Sequence, residues 1–323
     1  MESATISDPS ASPYRVYRLE GLPPEAIYVP NFITEYEEEY LLKRVAESPQ
    51  PKWKTQNTGR RVQYLGGTLS KNNVLIPESL PEWITHFPAL IERIRSVVAE
   101  LEDRHVPNLP EKQDSKSREE KLKAWTPNHV LINEYQAGQG IAPHEDGPAY
   151  LPIVATVSLG SPQTLEIFQY LAESDPSPPL TGSSRSDVFG SGCGRPIATT
   201  PMGCIYLEPR SLFISRKAIY ETFLHGISPV EEDVFELDGG EIGNRDEGET
   251  RIKVKLAGVE VSNSDHLNPA TKERLREAIK AGEKEVRIKR DKRVSLTFRR
   301  VEKVLQGGLG VGVLGRGTAG ARR

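Results

Sequence analysis

The stretch GIAPHEDGPAY, residues 140–150, places a histidine and an aspartate two positions apart among glycine, proline and alanine residues. In an extended segment alternate side chains point to the same side, so His144 and Asp146 project together while Glu145 points elsewhere. An imidazole and a carboxylate on one side, joined by a histidine from a distant strand, form the facial triad that holds Fe(II). Of the six histidines, only His144 has a carboxylate two residues later. The pattern indicates a metal site, and the alternative is a pair of polar residues on a turn.

His225, in AIYETFLHGIS, is the candidate for the third ligand. It follows an apolar, strand-like run and precedes a glycine, which lets the backbone approach the metal closely. Taken alone, His225 is better explained as a satisfied core histidine. A facial triad leaves three positions open for a bidentate 2-oxo acid and then dioxygen, which a closed four-ligand zinc site does not allow.

The segment RVSLTFR, residues 293–299, supplies a counterpart for such an acid. As a strand it puts Arg293, Ser295, Thr297 and Arg299 on one face and three apolar residues on the other. Two arginines facing inward are costly to bury without carboxylates, and a dicarboxylate such as 2-oxoglutarate provides them. Upstream, NEY places Asn133 and Tyr135 on one strand face, where they offer an amide and a phenol to the same ligand.

These segments resemble one family. NEYQAGQGIAPHED, LEPRSLFISR, LHGIS and RVSLTFRR, together with YVPNFITEYEEEYLLKRV and GRRVQYLGG, are similar to the AlkB-family Fe(II)/2-oxoglutarate dioxygenases, most to their AlkB homologue 6 subgroup. The likeness spans roughly residues 25–170 and 203–305. A lone His-x-Asp is a weak signal, whereas all the segments in this order are specific.

The resemblance implies a double-stranded β-helix, a jelly-roll barrel with helices bracing one sheet. It assigns the iron to His144, Asp146 and His225, and 2-oxoglutarate to Asn133, Tyr135, Arg293, Ser295 and Arg299. Ser295 stands where the family often has asparagine, which weakens one hydrogen bond to the cosubstrate. The 68-residue separation of His225 and Arg293 exceeds the usual link and leaves the substrate range open.

The implied reaction is oxidation of an N-methyl group on an unstacked or single-stranded nucleobase of RNA or DNA, with loss of formaldehyde. The segment PKWKTQNTGRRVQYLGG, residues 51–67, is a candidate lid over such a substrate. Its lysines and arginines, among them Arg60 and Arg61, would contact phosphates, and Trp53 or Tyr64 would stack on bases. An ordinary basic loop with a half-buried tryptophan explains the segment equally well.

Two other classes of function stay open. One is a dioxygenase that acts on a protein side chain, and the other is a nucleic-acid or protein binding module without turnover. Charge is segregated: residues 231–249 carry nine acids and one arginine, and residues 283–300 carry eight basic residues and three acids. The net charge of −3 does not by itself indicate a nucleic-acid binder.

The elements that position these residues follow from periodicity. Thr34 and Glu37 form a capping box before a helix whose inner face carries Leu41, Leu42 and Val45. A second amphipathic helix is predicted from Pro88 to Glu102. Beyond residue 128 the pattern becomes strand-like and favours a barrel or sandwich over βαβ units. Seven strands are predicted, in HVLINEY, PIVATVSLG, TLEIFQYL, CIYLEP, SLFISR, RIKVKL and RVSLTFRRV.

The chain of 323 residues is long enough for one large domain, and 37% hydrophobic residues suffice for a core. We expect a partly disordered extension at 1–24, a single domain at 25–305 with flexible insertions at 172–200 and 231–290, and a disordered Gly/Arg-rich tail at 306–323. Cys193 and Cys204 make no disulfide framework. The sequence has no signal-like start and no apolar run of membrane-spanning length, so we expect a protein of the cytoplasm and nucleus with no membrane partner.

Overall fold

The computed structural model describes residues 13–103, 125–171, 195–244 and 250–305. Its helices are α1 (Glu35–Ala46), α2 (Glu82–Thr85), α3 (Leu90–Asp103), α4 (Ala218–Glu221) and α5 (Pro269–Ala281), with short 3₁₀ turns at Gln50–Lys52 and Ser264–His266. No helix within these ranges is long and apolar enough to span a membrane.

Most of the described chain is β-structure. The strands in chain order are β1 (Tyr17–Arg18), β2 (Ala26–Val29), β3 (Lys54–Thr55), β4 (Arg61–Leu65), β5 (Gly67–Leu69), β6 (Leu75–Pro77), β7 (His129–Tyr135), β8 (Ile141–His144), β9 (Ile153–Gly160), β10 (Gln163–Gln169), β11 (Gly203–Leu207), β12 (Leu212–Arg216), β13 (Phe223–Ile227), β14 (Glu232–Asn244), β15 (Thr250–Leu256), β16 (Val259–Glu260), β17 (Glu285–Lys289) and β18 (Arg293–Arg299). All seven predicted strands are confirmed, with ends that differ by a few residues.

The strands form a jelly roll, the double-stranded β-helix that was expected. The major sheet has the order β1-β2-β12-β9-β18-β7-β4-β3, and the minor sheet has the order β11-β10-β13-β8. Neighbouring strands within both sheets run antiparallel. Side chains from both sheets line one cavity, so the cavity lies inside the barrel between them.

Helices α1 and α3 pack on the outer face of the major sheet. The capping box is present: the Thr34 hydroxyl accepts from the Glu37 backbone N–H at 3.2 Å, and the Glu37 carboxylate accepts from the Thr34 N–H at 2.8 Å. Leu41 and Val45 are buried, and they share one hydrophobic cluster with α3 and with the outward side chains of β18. The helices therefore brace the sheet whose other face lines the cavity.

The prediction of a flexible insertion at 231–290 is wrong for the residues that the structure describes there. Strands β14–β17 form a further sheet in the order β16-β15-β14-β17, which packs with α5 around a second hydrophobic cluster. The acidic composition of β14 concealed a period-2 pattern, in which buried Asp233, Phe235 and Leu237 alternate with less buried residues. On β15, which was predicted as a strand, buried Ile252, Val254 and Leu256 alternate with lysines, so both strands bury one face.

A buried ion pair joins this extra sheet to the barrel. The Arg290 guanidinium donates to Asp233 Oδ1 at 2.7 Å, both side chains being 3% exposed. Asp233 Oδ1 also accepts from the Thr164 hydroxyl of β10 at 2.6 Å, and Arg290 donates to the Ser228 carbonyl at 2.8 Å. The sheet is thus fixed to the minor sheet by a network in which each charge has a partner.

We expect Asp233→Ala to lower the free energy of unfolding by about 3–5 kcal/mol, because it leaves the Arg290 charge buried and unpaired. Urea denaturation at neutral pH measures the change. Glu232→Gln is the control, since Glu232 pairs at 2.9 Å with the exposed Arg287 and should unfold close to the parent. Equal midpoints for Asp233→Ala and Glu232→Gln would contradict the role given to the buried pair.

Other predicted segments lie partly or wholly outside the described residues. These are residues 1–12 of the N-terminal extension, residues 172–194 of the first insertion with Cys193, residues 245–249 of the acidic stretch, and the 306–323 tail. Cys204 is described and is a free, buried thiol.

Candidate metal centre and adjoining cavity

His144, Asp146 and His225 lie together in the structure. His144 ends β8 and His225 lies on β13, and the two residues are direct partners in the antiparallel ladder. Their ring centroids are 4.4 Å apart. One ligand atom from each of the three side chains lies within 4.8 Å of the others. The pairing of two minor-sheet strands therefore brings together residues separated by about 80 positions in the chain.

Glycine allows these two strands to approach. A Cβ at Gly226 would lie 3.1 Å from the Pro143 backbone nitrogen, tighter than side chains normally tolerate. The glycine after His225 thus faces the backbone of β8, whereas the sequence suggested that it faces a metal. It still serves the site, because it sets the spacing of the strands that carry the two histidines.

The protonation states suit a divalent cation. Burial, and then the nearby His225, lower the pKa of His144 to about 3, and burial likewise lowers the pKa of His225. Burial alone would raise the pKa of Asp146, but the nearby Arg299 guanidinium outweighs it and holds that pKa below its usual value. At neutral pH the group therefore offers two neutral imidazoles and one carboxylate.

Neighbouring groups orient the ligands. His144 Nδ1 lies 2.9 Å from the Ala142 carbonyl oxygen, which leaves Nε2 for a metal. Glu145 turns away and its carboxylate accepts from the Tyr170 hydroxyl at 2.7 Å. The donor set, its spacing and its protonation fit Fe(II) with open coordination positions.

The cavity beside the triad contains the residues predicted to hold 2-oxoglutarate. Arg293, Ser295, Thr297 and Arg299 of β18 all line it, and Val294, Leu296 and Phe298 lie in the cluster on the opposite face. Asn133 and Tyr135 line the cavity from β7, where they pair in register with Ser295 and Arg293. The period-2 reading of both strands agrees with this arrangement.

The two inward arginines differ in their partners. Arg299 forms an ion pair with Asp146, and its guanidinium lies 4.8 Å from the Tyr150 ring centroid. Arg293 is 2% exposed and donates to the Ser158 hydroxyl at 2.9 Å, and its Nε has no hydrogen-bond partner in the described part of the chain. No carboxylate of the described residues pairs with Arg293. Burial lowers its pKa to about 10, so it remains a cation at neutral pH.

The four residues predicted to contact substrate do not form one surface. Trp53 packs against the main core and donates from its indole to the Ser48 hydroxyl at 3.0 Å. Arg61 pairs with Glu134 at 2.6 Å and lies over the Trp53 ring. Both are therefore occupied by contacts within the protein. Arg60 lines the internal cavity, and only Tyr64 has a substantially exposed ring, at 40%.

The sequence reading missed a column of stacked rings beside the site. His129, the first residue of the predicted strand HVLINEY, stacks between Tyr64 and Tyr150 at centroid distances of 5.5 and 5.9 Å. Its register partner is Arg299, so the column adjoins the Arg299–Asp146 pair. Only strand pairing reveals this proximity, because His129 and Arg299 are 170 positions apart in sequence.

The sequence suggested that acidic and basic charges are segregated between residues 231–249 and 283–300, and the structure changes this interpretation. Across the β14–β17 ladder Glu232 faces Lys289, and Arg287 and Arg290 pair with Glu232 and Asp233. Acidic and basic residues of the two segments thus neutralise one another within a sheet. They do not form separate acidic and basic surfaces where the structure describes them.

Comparison with known proteins gives consistent relatives. A family model described as the 2OG-Fe(II) oxygenase superfamily matches residues 25–299. The chain is 30% identical over 296 residues to "Probable RNA/DNA demethylase ALKBH6" from Danio rerio, covering 92% of this chain and 94% of that protein. It is 24% identical over 240 residues to "Uncharacterized protein L905" from Acanthamoeba polyphaga mimivirus, covering 74% and 86%.

Among solved structures, "The structure of OsALKBH1" aligns with a TM-score of 0.42 at 17% identity, covering 86% of this chain and 99% of that chain. An oxidoreductase of the 2OG-Fe(II) oxygenase family from Burkholderia pseudomallei aligns with a TM-score of 0.38 at 9% identity, covering 85% and 83%. The region matched by the family model contains all three residues of the triad and both inward arginines of β18.

Proposed function

The chain belongs to the 2OG-Fe(II) oxygenase superfamily, as an AlkB-like dioxygenase that uses Fe(II) and 2-oxoglutarate, and from this premise we propose that it removes N-methyl groups from nucleobases. The observation that carries the proposal is a triad of His144, Asp146 and His225 beside a cavity that contains a buried guanidinium, that of Arg293, with no carboxylate partner among the described residues. That combination suits a metal together with a carboxylate ligand.

We assign the residues as follows. His144, Asp146 and His225 hold the iron, and 2-oxoglutarate is held by Asn133, Tyr135, Arg293, Ser295 and Arg299. Arg293 supplies the charge for one carboxylate because it has no acidic partner of its own among the described residues. Arg299 serves the metal end of the cavity, where it orients Asp146.

In the proposed reaction dioxygen is reduced, 2-oxoglutarate is oxidised to succinate and CO₂, and one oxygen atom enters a C–H bond of the N-methyl group. The N-hydroxymethyl product then breaks its C–N bond, returns a proton to the ring nitrogen and releases formaldehyde. Bound Fe(II) supplies the activation of dioxygen. The protein residues hold the cosubstrate, exclude water and place the methyl group beside the open metal positions.

Support for a nucleic-acid substrate is chemical and comparative. The relative from Danio rerio bears the name of an RNA/DNA demethylase. Tyr64 offers an exposed ring with the Lys54 ammonium 5.9 Å from its centroid, a combination suited to a base and its phosphate. We propose single-stranded RNA or DNA, because a base in a duplex must be unstacked before its methyl group can enter a cavity.

A panel of single-stranded oligonucleotides, each with one N-methylated base, tests this proposal. We expect formaldehyde and the unmethylated base to appear in equal amounts on at least one of them, with none on the matching duplex or with His144→Ala. Affinity should also fall as salt rises, with a log–log slope of roughly −0.7 per phosphate contact. If no oligonucleotide binds at low salt while peptides stimulate succinate formation, the substrate is a protein side chain instead.

The proposal also implies activity where methylated RNA and DNA occur, in the cytoplasm and nucleus. Imaging of a fluorescent fusion of the full chain tests this part separately. Fluorescence confined to any other compartment would overturn the location without affecting the chemistry.

A further inference from the structure

The turn between β3 and β4 carries Arg60 into the cavity. The Gln56 backbone N–H donates to the Arg60 carbonyl at 2.8 Å, and the Gly59 N–H donates to the Gln56 carbonyl at 2.9 Å. Gly59 has φ +80, and a Cβ there would lie 2.7 Å from the Gln139 side chain. The turn thus needs a glycine for its backbone conformation, whereas the Gln139 amide is the far end of a flexible side chain that can move aside.

Arg60 binds the same side chains that are assigned to the cosubstrate. Its Nη1 donates to Asn133 Oδ1 at 3.1 Å and to the Tyr135 hydroxyl at 3.2 Å. The guanidinium carbon lies 5.6 Å from the Tyr135 ring centroid. Its Nε is buried and has no hydrogen-bond partner among the described residues. Arg60 therefore retains donor capacity inside the cavity beyond its contacts with the protein.

The charges that line the cavity do not balance. Three arginines line it, Arg60, Arg293 and Arg299, and Asp146 is the one acidic side chain among the described residues that do so. Asp146 is paired with Arg299. Arg60 and Arg293 have no carboxylate partner within the described part of the chain. Unpaired cations in an enclosed site are costly, and an anion placed between them relieves that cost.

Strand register shows which end of the cavity Arg60 serves. Arg293 pairs across the ladder with Tyr135, and Arg299 pairs with His129 at the opposite ends of the two strands. The two pairs are six residues apart along the strands, so their Cα atoms are roughly 20 Å apart. Asp146 contacts Arg299, so the metal ligands are associated with that end. Arg60 and Arg293 both lie against the Tyr135 ring, at the remote end.

We propose that Arg60 is a third arginine of the cosubstrate site, which binds the carboxylate remote from the metal together with Arg293. The β3–β4 turn becomes more ordered when that carboxylate is bound, because Arg60 then has an anion as well as two neutral acceptors. This inference rests on the proposed use of 2-oxoglutarate. It gives the candidate lid a contact with cosubstrate that the sequence reading did not include.

Titration of 2-oxoglutarate into the Mn(II)-loaded protein by calorimetry tests the assignment without turnover. Arg60→Met should weaken binding about 10- to 100-fold, the effect expected for loss of a charge-assisted hydrogen bond. Arg60→Lys should recover only part of the affinity. The planar guanidinium can donate to Asn133, Tyr135 and the anion at once, whereas the compact lysine ammonium cannot. Lys43→Met, which removes a charge from the exposed side of α1, should bind within about threefold of the parent.

Amide hydrogen exchange provides a second readout. In the parent, 2-oxoglutarate should slow exchange in residues 54–61, and in Arg60→Met it should not. Unchanged or tighter binding in Arg60→Met, with protection of the turn retained, overturns the inference. If Arg293→Met loses affinity in the same assay, the proposed function survives that result. If the parent itself does not bind 2-oxoglutarate, the proposed function fails first.

Discussion

His144→Ala is expected to lose Fe(II) binding and all 2-oxoglutarate decarboxylation. Loss of a residue that merely orients a ligand lowers metal affinity by about 10- to 100-fold, so loss of a ligand itself should cost at least about 100-fold. The remaining pair, Asp146 and His225, cannot define the three-ligand face that fixes the open positions. Metal content after dialysis and succinate formation measure the two effects separately.

His86→Ala is the matched control for that variant. His86 is exposed and its Nδ1 lies 2.9 Å from the Thr85 hydroxyl, well outside the cavity. It should keep the metal content and succinate yield of the parent. Comparable thermal melting of the two apo variants excludes unfolding as the cause of any loss. A His144→Ala protein that binds one Fe(II) and decarboxylates at the parent rate would falsify the assignment of the triad.

All three residues of the triad could be named from the sequence. Only the His-x-Asp pair, however, follows from a physical argument about the chain. The His-x-Asp spacing has a direct geometric meaning, since alternate residues of an extended segment share a side. His225 has no such local meaning. Its position opposite His144 depends on the pairing of β13 with β8, which no local pattern specifies. The strand-like run and the following glycine made His225 a candidate only, and the family resemblance assigned it to the iron before the fold was known.

Charge was a poorer guide than periodicity. The acidic run at 231–249 suggested a solvated loop, yet Phe235 and Leu237 alternate with polar residues and are buried in the second cluster. Arg61 and Arg60 are adjacent and looked alike in sequence. They point to opposite sides of the hairpin, one to Glu134 and Trp53 and the other into the cavity. Partner choice of this kind depends on tertiary contacts and cannot be read from charge alone.

Arg293→Met is expected to lose 2-oxoglutarate binding by about 100-fold or more while leaving the apo protein at least as stable as the parent. The two effects have one cause. Arg293 carries a buried charge with no carboxylate partner among the described residues, which destabilises the fold until an anion binds. Because a buried charge costs several kcal/mol to desolvate and here gains no carboxylate in return, an apolar side chain of similar length should leave the apo protein as stable as the parent or more so. Calorimetry with the Mn(II)-loaded protein and urea denaturation of the apo protein measure the two effects.

Arg299→Met should behave in the opposite way. Arg299 is already paired with Asp146, so its loss leaves a buried carboxylate without its cation and should destabilise the apo protein by about 3–5 kcal/mol. Metal affinity should fall as well, because Asp146 loses the group that orients it. Equal effects of the two substitutions on stability would show that the arginines are interchangeable and would remove the distinction drawn between them. If Arg293→Met instead stays stable and loses only 2-oxoglutarate binding, the arginine serves binding and lowers the stability of the apo fold.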